Sequence, residues 1–322
     1  MNVVSRGTFS FIKNNMNVLK IDRLSHRYSN SWAVRDINLE INQHGIVGLL
    51  GSNGAGKSTM MNIICGVLNQ TEGAVTINGI DTRKQAELAK QQIGFLPQQL
   101  PLYTDLTVDE YLRYTAELRF IPKQQIKNAI EEVKEKVGIA HFSSRLIRNL
   151  SGGYKQRVGI AQAIIHKPKL VVMDEPTTGL DPNQLIEARK LLQEIAKEHT
   201  VLLSSHILSE IQLMCREIIM IEGGRIIFSD SMDAFNNYIQ PSSVLISMEN
   251  PPAAADLLQI NGATKVEYLT KKQIRLYFEG DVDITERLVH ASVQHNWQLR
   301  ELSLDRSLLD DIFKQLSTKS IQ

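Results

Sequence analysis

The stretch that most limits what this chain can become is Gly51-Ser-Asn-Gly-Ala-Gly-Lys-Ser58, followed by Thr59. The apolar run Ile46-Val-Gly-Leu-Leu50 precedes it, and Met60, Met61, Ile63 and Ile64 follow at roughly helical spacing. Strand, glycine-rich loop and helix in that order are the setting a P-loop requires. Gly51, Gly54 and Gly56 have no Cβ, so the backbone can curl until successive N–H groups point inward. The concave surface, which also includes Ser52, Asn53 and Ala55, lies at the positive end of the next helix and suits a phosphate chain. Lys57 reaches the β- and γ-phosphates in such a loop, and the Ser58 hydroxyl holds Mg²⁺.

Two other segments carry matching chemistry. Leu170-Val-Val-Met173 is a short apolar run, as expected of a parallel strand buried on both faces, and it is closed by Asp174-Glu175-Pro176. Acidic residues at that end fall where open α/β sheets bind ligands. Two adjacent carboxylates are costly to bury without a cation, so the pair is either a solvated loop acid pair or a site in which Asp174 is a natural Mg²⁺ partner and Glu175 holds a water. Thr200-Val-Leu-Leu203 reads as another buried strand, ending at Ser204-Ser-His206 beside the expected phosphates. In Leu150-Ser-Gly-Gly-Tyr154 a serine and two glycines precede a helical pattern. That is either a helix start facing solvent or a second anion site. Tyr28, between the first expected strands, is either a half-buried strand residue or an aromatic placed to stack on adenine.

Around these segments the pattern reads as an α/β core with additions. Residues 17–45 suggest antiparallel strands: Val18 to Ile21, Trp32 to Val34, and Ile37 to Ile41. Thr107-Val-Asp-Glu110 is a capping box that opens a helix to about Phe120. Pro122 opens a second helix with Ile126, Ile130, Val133 and Val137 on one face. A helical insertion is thus expected over about 100–160. Residues 218–228 read as a glycine-turned hairpin, and the composition shifts at Gln240-Pro241. The remainder, 241–322, reads as a small α+β domain with alternation at Val244, Ile246 and Met248 and at Ile274, Leu276 and Phe278, and a last helix over 307–316. His290 and His295 have no accompanying ligands and read as surface residues. Segment 1–16 shows no pairing pattern; it reads as an extension, with Met16 an alternative start to Met1.

The whole-chain numbers exclude several classes. With 36 basic and 35 acidic residues the net charge is +1, so no field favours nucleic acid or an anionic membrane. Cys65 and Cys215 lie in apolar helical stretches and read as buried free thiols of a reducing compartment. No apolar run approaches the roughly 18 residues of a membrane span, and no signal-peptide core is present at the start. An intracellular chain is expected, attached to a membrane only through a partner.

Taken together, residues 17–238 resemble the ATP-binding subunit of an ABC transporter. Walker A is Gly51 to Thr59, the Q-loop glutamine is Gln98, and the signature LSGGQ stands here as Leu150 to Tyr154. Walker B is Leu170 to Asp174, the catalytic glutamate is Glu175, the D-loop is Gly179 to Asp181 and the switch histidine is His206. Tyr28 matches the adenine-stacking aromatic. Tyr154 departs from the usual glutamine, while Ser151, Gly152 and Gly153 remain. The resemblance implies an ABC cassette fold: a mixed sheet core, an antiparallel β subdomain and a helical subdomain within 17–240, plus the C-terminal domain.

The family also implies ATP and Mg²⁺ as cofactors, with Mg²⁺ held by Ser58, Gln98 and, through water, Asp174. It implies a head-to-tail pair of subunits, each ATP lying between one Walker A and the other copy's Ser151 to Gly153. The second subunit of the pair is expected to be a copy of this chain, giving a homodimer that works with a separate membrane permease. The ABC-2 type and export follow from the tail pattern Ser307 to Leu316, which is similar to that of drug-resistance ATPases. The coupling surface would lie around Leu100 to Asp105. A soluble ABC ATPase acting on ribosomes or DNA is the alternative; those types carry two cassettes or a long coiled coil, which this chain lacks.

Overall fold

The computed structural model describes residues 17–42, 44–238, 243–279 and 283–305. The proposed extension 1–16 and helix 307–316 lie outside the described residues. By backbone proximity the chain divides into two compact units, with the boundary after Ser229 and with residues 207–209 grouped with the second unit.

The first unit is built on a six-stranded sheet. Its members are β3 (Gly45–Leu50), β6 (Ile93–Leu96), β7 (Leu170–Met173), β8 (Thr200–Ser205), β9 (Glu217–Glu222) and β10 (Arg225–Ser231), in the spatial order β10-β9-β3-β8-β7-β6. Strands β9, β3, β8, β7 and β6 run parallel. Every residue of β7 and β8 is buried, which is why these segments read as unbroken apolar runs rather than as alternation. Helix α1 (Lys57–Ile64) starts at the carboxyl end of β3 and buries Met60, Met61, Ile63 and Ile64.

An antiparallel sheet in the order β2-β1-β4-β5 packs its apolar side into the same core, which joins Leu19, Ile21, Leu24, Ile37 and Ile41 to Val47, Leu49, Met60 and Met61. Its strands are β1 (Leu19–Tyr28), β2 (Ser31–Ile41), β4 (Glu72–Ile77) and β5 (Ile80–Asp81). Both long strands exceed their expected lengths. Arg23 (φ +47°) and Asp36 (φ +52°) adopt left-handed backbone, and the β1–β2 register shifts between Ile21 and Leu24. The shift breaks the period-two pattern, so one strand looks like two in the sequence.

The helical part follows α2 (Ala86–Gln91) and consists of α3 (Val108–Leu118), α4 (Lys123–Val137) and α5 (Gly152–Ile164). The Thr107–Glu110 capping box forms in both directions, and Ile126, Ile130, Val133 and Val137 are buried as expected. Lys134 is 1% exposed yet fully partnered, donating to Asp109 Oδ1 (2.6 Å), Glu131 Oε1 (3.0 Å) and Ser143 Oγ (2.7 Å). Those bonds raise its pKa against the opposing effect of burial and tie α4 to the start of α3. The unit continues with α6 (Pro182–Ile195) and α7 (Leu208–Met214). Both cysteines are buried free thiols; burial pushes Cys215 up to about 12 and raises Cys65 well above its usual range.

The second unit contains α8 (Met232–Tyr238) and then β11 (Ser243–Met248), α9 (Ala254–Leu258), β12 (Ala263–Tyr268), β13 (Gln273–Phe278), α10 (Ile284–Gln294) and β14 (Leu299–Asp305). From β11 onward this is a β-α-β-β-α-β chain with sheet order β12-β13-β11-β14, a split βαβ arrangement. It has its own core of Val244, Ile246, Met248, Ile274, Leu276, Phe278, Leu288 and Trp297. His290 is exposed, with Glu286 at 3.7 Å, and His295 stacks on Trp297 at 5.3 Å.

One contact fixes how closely α5 approaches the sheet. A Cβ placed on Gly94 in β6 would lie 2.0 Å from the Ala163 carbonyl oxygen, whereas one on Gly159 would meet only the tips of Leu96 and Leu100 at 2.8 Å. Backbone cannot yield as leucine tips can. Gly94→Ala is therefore expected to cost about 3 kcal/mol or more and Gly159→Ala clearly less, as measured by urea unfolding midpoints.

Candidate active site

The carboxyl ends of the parallel strands gather most of the residues singled out in the sequence. Gly54 (φ +83°) and Gly56 (φ +108°) have left-handed backbone, so the loop between β3 and α1 curls as expected. A Cβ on Gly51 would lie 2.5 Å from Ile221 O, and one on Gly56 2.6 Å from Ala33 O. These glycines are thus also needed for the walls behind the loop. Lys57 is 6% exposed, and its Nζ donates to the carbonyls of Gly51 (2.8 Å) and Ser52 (3.0 Å). Burial lowers its pKa, and the charges of Glu175, Asp174 and Glu222 oppose that shift. Ser58, one residue on, is exposed.

At the end of β7 two acids are held in different ways. Asp174 is buried and accepts a hydrogen bond from Ser204 Oγ at 2.5 Å. The same hydroxyl accepts from the Glu175 backbone N–H at 2.9 Å. Glu175 turns the chain with φ +48°, unusual for a residue with a side chain. Its carboxylate, 10% exposed, is held from three directions. His206 Nδ1 lies 3.0 Å from Oε1, while Gln98 Nε2 and Thr178 Oγ1 donate to Oε2 at 3.3 and 3.1 Å. The expected metal ligand Gln98 and the expected phosphate contact His206 therefore both rest on Glu175 in this state.

A second locus forms where α5 and α6 begin. Ser151 caps α5 through its backbone only; its hydroxyl makes no capping bond, and no acid lies in the first turn. Ser151 and Gly152 are exposed. A Cβ on Gly153 would lie 3.0 Å from Gln184, so the two helix starts abut. Asp181 is the N-cap of α6, accepting from Gln184 N at 2.9 Å. A cavity of about 210 Å³ here is lined by Ser151, Gly153, Tyr154, Leu180 and Gln184 among others. Tyr154 packs edge-on against Phe142 (4.6 Å) and His141 (5.9 Å), so the departure from the signature glutamine is filled by an aromatic cluster. Tyr28 stands at the end of β1, 53% exposed, with its ring edge-on to His26 at 4.8 Å.

The geometry agrees with the relatives of the chain. The family model for ABC transporters matches residues 34–178. The ABC transporter ATP-binding protein NatA of Bacillus subtilis (strain 168) is 39% identical over 204 residues, which span 63% of this chain and 83% of that protein. The chain belongs to the ATP-binding proteins of ABC transporters. The linearmycin resistance ATP-binding protein LnrL of Bacillus subtilis (strain 168) is 28% identical over 312 residues, 95% of this chain and all of that protein. A solved dimeric ATP-binding cassette in a post-hydrolysis state, bound to ADP and Pi, is similar with a TM-score of 0.59 at 26% identity, covering 66% of this chain and 98% of that one. As an ABC ATPase the chain binds and hydrolyses ATP as the nucleotide-binding subunit of a transporter. Among the described residues no helix is long and apolar enough to cross a membrane.

Sequence reasoning passed over Ser204, Thr178 and Glu222 in this ABC ATPase. The signal for Ser204 was a hydroxyl closing an otherwise apolar buried strand, and for Thr178 its place three residues beyond Glu175. Ser204→Ala removes the partner of both Asp174 Oδ1 and the Glu175 N–H. It is expected to lower stability by about 1–3 kcal/mol and to slow ATP turnover, with urea denaturation and steady-state phosphate release as the two measurements.

Proposed function

We propose that this ABC ATPase drives export through a separate membrane permease of the ABC-2 type, working as a pair of identical subunits on the cytoplasmic face. The match to a resistance ATPase along nearly the whole chain, including the second unit, supports export. The dimeric solved relative supports the pair.

The observation that carries the mechanism is the triple anchoring of Glu175 beside a buried lysine. Lys57 rests on two carbonyls of its own loop. A triphosphate in the loop offers this ammonium stronger, charged acceptors, and the inward N–H groups bind the rest of the phosphate chain. Tyr28, exposed at the end of its strand, stacks on adenine. Glu175 polarises the attacking water, and His206 swings from the carboxylate to the γ-phosphate. Phosphoryl transfer to water needs positioning and electrostatics rather than a nucleophilic side chain. The residues that would hold Mg²⁺ are Ser58 through its hydroxyl, Gln98 through its amide oxygen and Asp174 through a water. All offer hard oxygens of the kind this ion takes. When bound, Mg²⁺ neutralises charge on the phosphates.

The second locus supplies the partner's half of the site. Ser151, Gly152 and Gly153 present a helix start with no side-chain cap, suited to the γ-phosphate held by the other copy, and Asp181 caps the neighbouring helix α6, whose Gln184 abuts Gly153. ATP favours the closed pair only by the extra contacts it makes there. Loss of the bridging γ-phosphate on hydrolysis lets the halves part, and the helical insertion passes the motion from Gln98 to the permease around residues 100–105.

Glu175→Gln keeps the shape and removes the base. ATP affinity should stay as in the wild type while hydrolysis slows by about 10²–10⁴, read by nucleotide titration and single-turnover phosphate release. Near-normal turnover would remove Glu175 from this role.

A further inference from the structure

The turn between β9 and β10 is built as a wall against the phosphate loop. Ile221 O stands 2.5 Å from where a Gly51 Cβ would be, so backbone lies on backbone. Gly224 N–H donates to Ala55 O at 3.0 Å, and Arg35 N–H donates to Gly224 O at 2.8 Å, which ties the turn to β2. Between these backbone contacts is one side-chain bond. Ser52 Oγ, the hydroxyl of the loop's second residue, donates to Glu222 Oε2 at 2.8 Å. Glu222 is half-buried, and it is an acid standing beside a loop that must receive an anion.

The chemistry of that pair is informative. A carboxylate near a polyphosphate site is unfavourable unless it does something the site needs. Glu222 holds the Ser52 hydroxyl outward, on the wall side. Ser52 is also one of the two residues whose carbonyls hold Lys57 in this state. The bond therefore fixes the peptide from which the lysine has to depart when phosphate arrives. The Glu222 charge is also one of those that oppose the lowering of the lysine pKa by burial.

We propose that Glu222 is a positioning residue for nucleotide binding, acting through Ser52 to hold the first turn of the phosphate loop open for the polyphosphate of ATP or ADP. The pair is a latch between the β9–β10 turn and the loop. It orders the binding site before nucleotide arrives and takes no part in the chemical step. This rests on the reading of the loop as the nucleotide site.

The test is the dissociation constant for ADP, with and without Mg²⁺, and the kcat and KM for ATP. They are measured for the full chain and its Ser52→Ala, Glu222→Ala, Glu222→Gln and Ser52→Ala/Glu222→Ala variants, with thermal melts alongside. Ser52→Ala and Glu222→Ala should each weaken ADP binding and raise KM by about 3- to 10-fold, the size expected for one lost hydrogen bond, with kcat nearly unchanged. The double variant should bind like either single one, because both remove the same bond. Glu222→Gln keeps an acceptor for Ser52 and should bind within about twofold of wild type.

Binding that is unchanged in both alanine variants, additive losses in the double variant, or a fall in kcat at constant affinity would each overturn the latch. Tighter binding by Glu222→Gln would do so too, since it would show the carboxylate acting by repulsion. Should Glu222→Ala fail to fold, Ser52→Ala and Glu222→Gln decide the matter. A wild-type chain that binds no nucleotide would instead refute the phosphate-loop reading. Loss of binding in Lys57→Ala, with wild-type affinity in the latch variants, would refute the latch alone.

Discussion

The site depends on a positive charge placed where it can hardly be tolerated. Lys57 is 6% exposed, and its ammonium is satisfied by two carbonyl oxygens of the loop that carries it. Burying such a group is costly unless it is paired. Here the surrounding charge comes from Asp174, Glu175 and Glu222, which oppose the effect of burial. Each acid is separately restrained: Asp174 by Ser204, Glu175 by Gln98, Thr178 and His206, and Glu222 by Ser52. The parallel sheet makes this possible, because β3, β7, β8 and β9 all end on the same side. In the proposed cycle the triphosphate takes the place of the loop carbonyls.

The segments that were legible in the sequence are those where one local rule acts alone. The phosphate loop was legible because its glycines answer a backbone requirement, and two of them do adopt left-handed backbone. Thr107 and Glu110 were legible because a capping box needs only four consecutive residues. What was hidden depends on distant chain. Lys134 sits among charged neighbours in the sequence of α4 and looks solvated, yet Asp109 and Ser143 reach it from other segments. Ser204 looks like an ordinary strand end until β7 is set beside β8.

The second unit was only half legible for similar reasons. Its central strands β11 and β13 alternate cleanly and were expected. In α10 the exposed Val289 and Val293 blur the apolar stripe formed by Ile284 and Leu288. In β14 a register shift sets Leu299 against Met248 and Glu301 against Ser247, which interrupts the alternation. In β12, with a single partner at the sheet edge, no residue is fully buried, so the burial signal is weak. Tyr154 is a different case. The sequence showed the departure from the signature, but only the fold showed what the ring does, which is to pack on Phe142 and His141 behind an unaltered serine–glycine–glycine turn.

A structure of the Glu175→Gln protein with Mg²⁺ and ATP tests the central claim most directly. The account predicts that the Lys57 ammonium has left the carbonyls of Gly51 and Ser52 for the β- and γ-phosphates. It also predicts a second copy of the chain placing its Ser151 to Gly153 turn on the same γ-phosphate. A nucleotide bound with Lys57 still on its own loop, or a closed pair whose serine–glycine–glycine turns face solvent, would contradict it.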